Sequence, residues 1–131
     1  MPGFLSPILT GDPGRHVLRN VNRETLVAEH LLAAFDSTSR NTGLLAHDSM
    51  PEMTALVIAP TFAIHTFFMK FPIDVVFVAK DGRVVKARSA IRPWRLAAAP
   101  GAYAAIELPA GSIERSGTCA NDRLTFEARP I

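Results

Sequence analysis

The sequence has few of the features that mark secreted, membrane or redox proteins. It contains a single cysteine, Cys119, so an intrachain disulfide is excluded. We interpret Cys119 as a small buried apolar residue rather than a reactive thiol. The first residues lack the cationic start and continuous apolar run of a secretion signal, and no apolar run approaches the roughly 20 residues that span a membrane. These absences predict a cytoplasmic protein that does not associate with membranes.

Motifs for metal, nucleotide and hydrolase chemistry are also missing. The four histidines are scattered, and neither His-x-x-x-His nor Cys-x-x-Cys spacing occurs. There is no Gly-x-Gly-x-x-Gly, no phosphate loop and no Gly-x-Ser-x-Gly elbow. We therefore expect no metal and no cofactor. No residue can be named as catalytic, and whether the protein is an enzyme stays open.

The charge is nearly balanced but unevenly distributed. The chain has 131 residues, 48% of them hydrophobic, which is the size of one domain, and we expect residues 1–131 to form a single domain. A formal charge of +2 does not favour a disordered or strongly polyanion-binding chain. Residues 1–65 hold four cations and six anions, whereas residues 66–131 hold ten cations and six anions.

One segment of the second half concentrates the positive charge. It could form a surface for nucleic acid or acidic ligands, or an exposed strand whose cations block pairing with other strands. Only Trp94 supplies an aromatic ring among these cations, so we favour the exposed strand, and a nucleic-acid partner is not favoured. The basic residues are Lys80, Arg83, Lys86, Arg88, Arg92 and Arg95.

Short apolar runs separated by turn residues predict a fold rich in strands. Prolines and glycines make residues 1–14 an irregular lead-in, and residues 26–35 fit either a helix or a strand. Strands are predicted at residues 56–59 and 65–71, each ending at a proline. Asp81-Gly82 between β-branched runs predicts a two-residue type I′ hairpin. In that hairpin Val76 faces Ala87 and Val78 faces Val85, and these four residues form the better core face.

The rest of the chain predicts two more strands and little helix. Strands are expected at residues 103–108 and 123–128, with a helical turn between them that Ser112 caps and Gly117 ends. Another short helix is expected at residues 40–45, capped by Asp36 or Ser37. The predicted fold class is α+β and mainly β: an antiparallel curled sheet or barrel-like core with one or two short helices.

Alternation also indicates which polar side chains point inward. Within residues 65–71 the odd positions, His65 and Met69 among them, should face the core because Lys70 should face water. Asp74 shares its parity with the core face of the hairpin. His65 and Asp74 could form a recessed acid–base pair. Alternatively, Asp74 could have a structural role, in which it fixes the His65 tautomer or caps free backbone N–H groups beside Pro72, and we favour the structural role. Glu107 alternates with Ile106 and Leu108 and should be exposed, and Met69 should be core filler.

The central run resembles a known family. Residues 64–78 and the following Asp81-Gly82-Arg83-Val84-Val85 are similar to the signature of an uncharacterised prokaryotic family, catalogued as domain of unknown function one hundred and ninety-two. Shorter pieces agree in order: Ser39-Arg40, Gly43-Leu44-Leu45, Pro93-Trp94-Arg95, residues 106–111 and Asp122-Arg123-Leu124. The resemblance covers residues 34–126 and implies a small, mainly β, barrel-like α+β fold without an established activity. The recurrent polar residues of the family fall on Arg40, His65, Asp74, Glu107 and Asp122.

Departures from the family pattern weaken a catalytic interpretation. Many members carry a cysteine shortly after the proline that precedes the His-Thr pair, but here Thr61 follows Pro60. A thiol–imidazole nucleophile or a Cys/His metal site is therefore absent at that place. Ala46-His47 stand where a small residue and arginine are usual, and Asn121 replaces a glycine.

Three functional hypotheses follow. The first is a non-catalytic binding module for a small polar ligand or a segment of a protein partner, with a pocket formed by His65, Asp74, Glu107, Arg40, Thr66 and Met69. The second is a small hydrolase- or lyase-like enzyme in which Asp74 orients His65 as general base. The third is a weak binder of nucleic acid or acidic surfaces through residues 80–95. The oligomeric state is left open.

Overall fold

The part of the chain that the structure describes folds into short strands arranged in three sheets. The computed structural model describes residues 3–36 and 48–130, and within them the helices are very short. The elements are α1 (Ser6–Leu9), a 3-10 turn (Pro13–Arg15), β1 (His16–Asn20), β2 (Thr25–Ala28), β3 (His30–Ala34), β4 (Thr54–Ile58), β5 (Ala63–His65), β6 (Ile73–Val78), β7 (Val84–Ile91), β8 (Leu96–Ala98), β9 (Ala104–Pro109), α2 (Ser112–Ser116) and β10 (Leu124–Ala128).

The largest sheet has five strands in the order β3-β4-β9-β6-β7. Its pairs are antiparallel except for β3 and β4, which run parallel. A second sheet has the order β10-β1-β2, and β5 pairs with β8 in a two-stranded ribbon. The mainly β, α+β prediction is confirmed. Among the strands described, none of the sheets closes into a barrel.

The five-stranded sheet is covered on both faces. On one face, Val76 and Ile106 belong to a first core that also contains Leu18 and Phe126 of the three-stranded sheet. The other face has a second core. Its residues from the sheet and from the β5–β8 ribbon include Val75, Phe77, Ala105, Ile64 and Ala97. The described chain is therefore built in three layers, and every residue of β6 and β9 is buried.

The predicted hairpin between β6 and β7 exists, but its turn differs. The amide of Gly82 donates to the carbonyl of Ala79, and the amide of Ala79 donates to the carbonyl of Arg83. Only Gly82 of the loop has positive φ, at 90°, so this is a three-residue loop rather than a type I′ turn. Val76 pairs with Ala87 as predicted, while Val78 pairs with Val84 because the register shifts beside it.

Other local predictions meet mixed outcomes. Residues 26–35 belong to strands β2 and β3 rather than to a helix. The strand predicted at residues 65–71 ends at His65. Helix α2 ends at Gly117, which is left-handed as expected, but its N-cap is Gly111 and not Ser112. The short helix predicted at residues 40–45, with Arg40, lies outside the described residues.

The N-terminal lead-in is more ordered than predicted. It contains α1, and Phe4, Leu5 and Ile8 are buried in the first core. Phe4 stacks on Phe126 with ring centroids 4.5 Å apart. None of the described helices has the length and apolar character needed to cross a membrane.

Candidate functional site

Asp74 is fully buried, and the backbone uses both of its carboxylate oxygens. Oδ1 accepts a hydrogen bond from the amide of Ala90 at 2.8 Å, and Oδ2 accepts one from the amide of Ile113 at 2.8 Å. Ala90 has φ 49° and lies where the pairing of β6 with β7 is irregular. Asp74 therefore joins β6 to the irregular part of β7 and to the first turn of α2.

His65 lies at the surface, so the prediction that it points inward is wrong. The inward residue of β5 is Ile64, and His65 is on the outer face of the ribbon. Its Nδ1 accepts a hydrogen bond from the amide of Phe67 at 3.3 Å, and its ring stacks on Phe67. No hydrogen bond joins His65 to Asp74 within the described structure. The geometry therefore gives no support to an acid–base pair of these two residues.

Glu107 is buried, which contradicts its predicted exposure. It lies on β9 between Leu56 of β4 and Val75 of β6, both residues of the second core. Burial raises the pKa of Glu107 to about 7. The prediction was wrong because β9 is an interior strand with both faces covered, so alternation does not distinguish a wet face. Within residues 3–36 and 48–130, no hydrogen bond to its carboxyl is formed.

Thr66 ties together two turns that are distant in sequence. It is fully buried. Its hydroxyl donates to the carbonyl of Arg92 at 2.6 Å and accepts from the amide of Arg95 at 2.9 Å. Its backbone amide donates to the carbonyl of Arg95, and its carbonyl accepts from the amide of Trp94, both at 2.9 Å. Nearby Met69 is buried in the second core, as expected of a core residue.

The two turns bring four rings together at the surface, which we call the aromatic cluster: His65, Phe67, Phe68 and Trp94. Ring centroids are 5.0 Å apart between His65 and Phe67, and 5.9 Å apart between Phe67 and Trp94. Phe68 contacts Trp94 at 4.5 Å in a tilted arrangement. Phe68 and Trp94 are 66% and 56% exposed. These rings are thus held together while large parts of them face solvent.

The backbone of the aromatic cluster is strained. Phe68 and Trp94 both have φ 67°, a left-handed conformation that bulky residues rarely adopt. Such a conformation costs on the order of 1–3 kcal/mol per residue and persists only where the surroundings enforce it. The bonds of Thr66 to residues 92–95 are the visible constraint.

Replacing Thr66 by valine should loosen the aromatic cluster. Valine keeps the shape but removes the hydroxyl bonds to the carbonyl of Arg92 and the amide of Arg95, so we expect a loss of about 2 kcal/mol in unfolding free energy. The emission of Trp94 should shift to longer wavelength. Urea unfolding followed by fluorescence measures both. Thr61→Val is the matched control, because both hydrogen bonds of the Thr61 hydroxyl are local, to the carbonyl and the amide of Ala63. Equal behaviour of the two variants would contradict the assigned role.

The apolar surface continues along the ribbon. Ala63 pairs with Ala98 and His65 pairs with Leu96, and all four point outward. Leu96 is 70% exposed, and Phe62 precedes the ribbon with most of its ring in solvent. We call the aromatic cluster together with Phe62, Ala63, Leu96 and Ala98 the ribbon surface. Exposed apolar residues that adjoin one another in this way are typical of interaction sites.

Positive charge surrounds the ribbon surface. Residues 53–73 and 82–106, which build it, contain no aspartate or glutamate. The acidic residues that directly follow these two ranges, Asp74 and Glu107, are buried. Lys86 and Arg88 pair with Phe77 and Val75, so they share the sheet face that carries the ribbon. Lys86 Nζ reaches the carbonyl of Ala98 at 2.9 Å. Arg92 and Arg95 are exposed on the turn that carries Trp94.

The predicted basic residues do not form one patch. Lys80 and Arg83 lie at the hairpin turn instead. The ammonium of Lys80 sits 5.0 Å from the centroid of the Tyr103 ring, and Arg83 bonds to Asn121. Strand β7 is the last strand of its sheet, as the exposed-strand interpretation required. The cations near the ribbon surface are Lys86, Arg88, Arg92 and Arg95.

A polar cluster around Asp122 lies elsewhere and is fully bonded. Its carboxylate accepts from Asn20 Nδ2, Arg23 Nε and the amide of Cys119. Burial opposes ionisation, but these donors hold the pKa of Asp122 below its ordinary value. Cys119 is exposed rather than buried as expected, with Sγ 2.7 Å from Arg23 Nη2. In the part of the chain that the structure describes, no three potential ligands form a metal site.

The sequence pointed to single residues of the surface but not to the surface itself. His65, Thr66, Phe68 and Trp94 lie in the motifs that carry the family resemblance, but neither Phe68 nor Leu96 is among the predicted site residues. The sequence signal that could have found Phe68 is the pair of consecutive aromatic residues, Phe67 and Phe68, shortly before the turn residue Pro72. The pairing of residues 65–68 with residues 92–95 is a tertiary contact that no local pattern reveals.

Comparison with solved structures supports the fold. A Sinorhizobium meliloti 1021 protein, suggested to be a transcription regulator, superposes with a TM-score of 0.72 at 20% identity, covering 85% of this chain and 91% of that one. A Novosphingobium aromaticivorans DSM 12444 protein of unknown function gives a TM-score of 0.68 at 18% identity, covering 83% and 81%. None of the curated proteins matches the sequence significantly. The family model DUF192, described as uncharacterised, matches residues 19–126, and the chain therefore belongs to the DUF192 family.

Proposed function

We propose that this domain is a non-catalytic binding module and that the ribbon surface is where its partner binds. The observation that carries the proposal is the exposure of Phe68 and Trp94 on a left-handed backbone. Exposing large rings and straining the backbone are both unfavourable for the isolated domain. A fold that keeps both features, with a buried threonine to enforce them, is understandable if the rings contact a partner.

The arrangement of the polar residues supports binding rather than catalysis. Asp74 has both oxygens engaged by backbone amides, and His65 bonds only to the amide of Phe67 within the described structure. We infer that His65 serves the ribbon surface directly, that buried Thr66 holds its two turns together, and that Met69 and Asp74 support it from the second core and from β6. The suggested regulatory role of the similar S. meliloti protein is compatible with a binding function.

Substitutions within the ribbon surface should abolish partner recovery. Tagged protein would be incubated with an extract of cells that naturally contain it, and the bound protein and nucleic acid would be quantified. We expect Phe68→Ser and Leu96→Ser to recover at least tenfold less partner than the wild type, because each removes an exposed apolar contact.

Matched controls come from exposed apolar residues outside the surface. Leu9 at the end of α1 and Val21 after β1 are each about half exposed, so Leu9→Ser and Val21→Ser test apolar exposure alone. Recovery should be unchanged in both. Equal recovery by all four variants, or no partner in any sample, would count against the proposed function. Circular dichroism melts confirm that every variant is folded.

A further inference from the structure

We propose that the ribbon surface binds single-stranded nucleic acid, with bases stacked against the aromatic cluster and phosphates near Arg88 and Arg92. This deepens the proposed function and rests on it. The sequence alone did not favour such a partner, because only Trp94 lay among the cations. The fold changes that assessment by placing three rings from residues 65–68 beside Trp94.

The first argument is the orientation of the rings. The planes of His65 and Phe67 differ by 25°, and those of Phe67 and Trp94 by 28°, so Phe67 stacks with both of them in a column of inclined rings. Another planar group can continue such a column, since offset stacking is the favoured contact between rings. His65 is exposed at the open end of the column. The bases of a single strand are free to stack there, whereas the bases of a duplex stack on one another.

The second argument is charge. Residues 82–106 contain five cations and no acidic residue, whereas Lys70, the one cation of residues 53–73, is paired with Asp48 at 2.8 Å and adds nothing to this charge. The side chains of Arg88 and Arg92 form no ion pair with a described carboxylate. Lys86 and Arg88 stand on the face that carries the ribbon. A nucleic-acid backbone supplies anions at regular spacing along such a surface, and binding releases its counterions.

Other anionic partners explain less of the geometry. An acidic peptide would satisfy the cations but supplies few planar groups to continue the ring column. An anionic lipid surface would also satisfy the cations, yet it has no planar groups, and rings that insert into a membrane interface gain nothing from stacking on one another. Single-stranded nucleic acid accounts for both the stacked rings and the positive charge of the ribbon surface.

Trp94 provides a direct measurement, because it is the one tryptophan of the chain. The full chain would be titrated with a twelve-nucleotide deoxythymidine strand while the fluorescence of Trp94 is followed. We expect saturable quenching, at least tenfold tighter than with a duplex of the same length. Neutralisation of about three phosphates should weaken binding about tenfold or more between 50 and 200 mM salt.

Two classes of variant keep Trp94 as the probe. Arg88→Glu combined with Arg92→Glu should weaken binding at least tenfold, and Phe68→Ala should weaken it roughly five- to hundredfold by removing a stacking surface. Arg15→Glu is the control, because Arg15 is an exposed cation beside the three-stranded sheet. Melting temperatures should agree among all variants. Absence of quenching, equal affinity for the duplex, or variants that bind like Arg15→Glu would overturn the assignment.

The remaining outcomes separate this inference from the proposed function. Phe68-dependent quenching by polyglutamate or by vesicles of phosphatidylglycerol, without quenching by the single strand, would overturn the nucleic-acid assignment and leave the ribbon surface a binding site. The nucleic-acid assignment would also be overturned, and the ribbon surface would remain a binding site, if the deoxythymidine strand did not bind while the extract experiments recovered a protein partner that Phe68→Ser loses. If no probe binds and no partner is recovered, both proposals fail.

Discussion

Replacing Asp74 by alanine is expected to lower the free energy of unfolding by about 4 kcal/mol. The substitution removes two charge-assisted hydrogen bonds, each worth roughly 1.5–3 kcal/mol, and leaves the amides of Ala90 and Ile113 without acceptors. Asp74→Asn should lose less, about 2–3 kcal/mol, because its amide oxygen still accepts one bond while its NH2 group faces a second donor. Urea unfolding measures both variants.

Asp12 offers the matched control for that experiment. Its carboxylate also accepts from a backbone amide at 2.8 Å, that of Gly14, but the Asp12 side chain is exposed. Asp12→Ala should therefore cost less than about 1 kcal/mol. If Asp74→Ala and Asp12→Ala lost similar amounts, burial would not be the source of the stabilisation by Asp74. Because Ala90 leads into the turn that carries Trp94, the Asp74 variants should also shift the tryptophan emission.

The elements that local sequence could predict are those defined by turn residues. Asp81-Gly82 located the hairpin between β6 and β7, and Val76 does pair with Ala87. Gly117 ends α2 because a left-handed residue is needed there. Even here the turn type was wrong, since a two-residue and a three-residue loop both place a glycine at positive φ. The turn residues therefore predict the positions of the turns more accurately than they predict the register of the strands.

The alternation of apolar and polar residues failed to predict burial wherever both faces of a strand are covered. It assigned one face of β6 to the core, yet Val75 and Phe77 are as fully buried as Val76 and Val78. The cover over the second face is the β5–β8 ribbon, whose strands have three residues each. Segments this short carry too little periodicity to be recognised as strands, so no local pattern predicts the third layer. His65 was misplaced for the same reason.

The candidate site was only partly predictable because its decisive contacts are long-range. Thr66 belongs to a motif that the sequence shows, but its bonds to Arg92 and Arg95 depend on the tertiary fold. The same applies to the stacking of Phe67 on Trp94. A single sequence can mark residues as unusual. It does not show which distant residue completes the site.

The stability of the wild type should fall as pH rises, and Glu107 should be the cause. Its pKa is about 7 in the folded chain against an ordinary value of 4.5. Below pH 4.5 the carboxyl is protonated in both states and costs nothing. Between pH 4.5 and 7 the unfolded chain releases the proton while the folded chain retains it, so unfolding becomes easier. By pH 7.5 the loss should reach about 3 kcal/mol.

Glu107→Gln isolates this effect, because glutamine has the shape of the protonated acid and does not titrate. We expect the variant to match the wild type near pH 4 and to exceed its unfolding free energy by about 3 kcal/mol at pH 7.5. Glu114→Gln on the exposed side of α2 should show no such divergence. Other titrating groups, Asp122 included, cancel in the comparison with wild type. Parallel stability curves for Glu107→Gln and wild type would mean that the small remaining solvent contact of the carboxyl is enough to keep its pKa ordinary, and that burial on β9 does not penalise the charge.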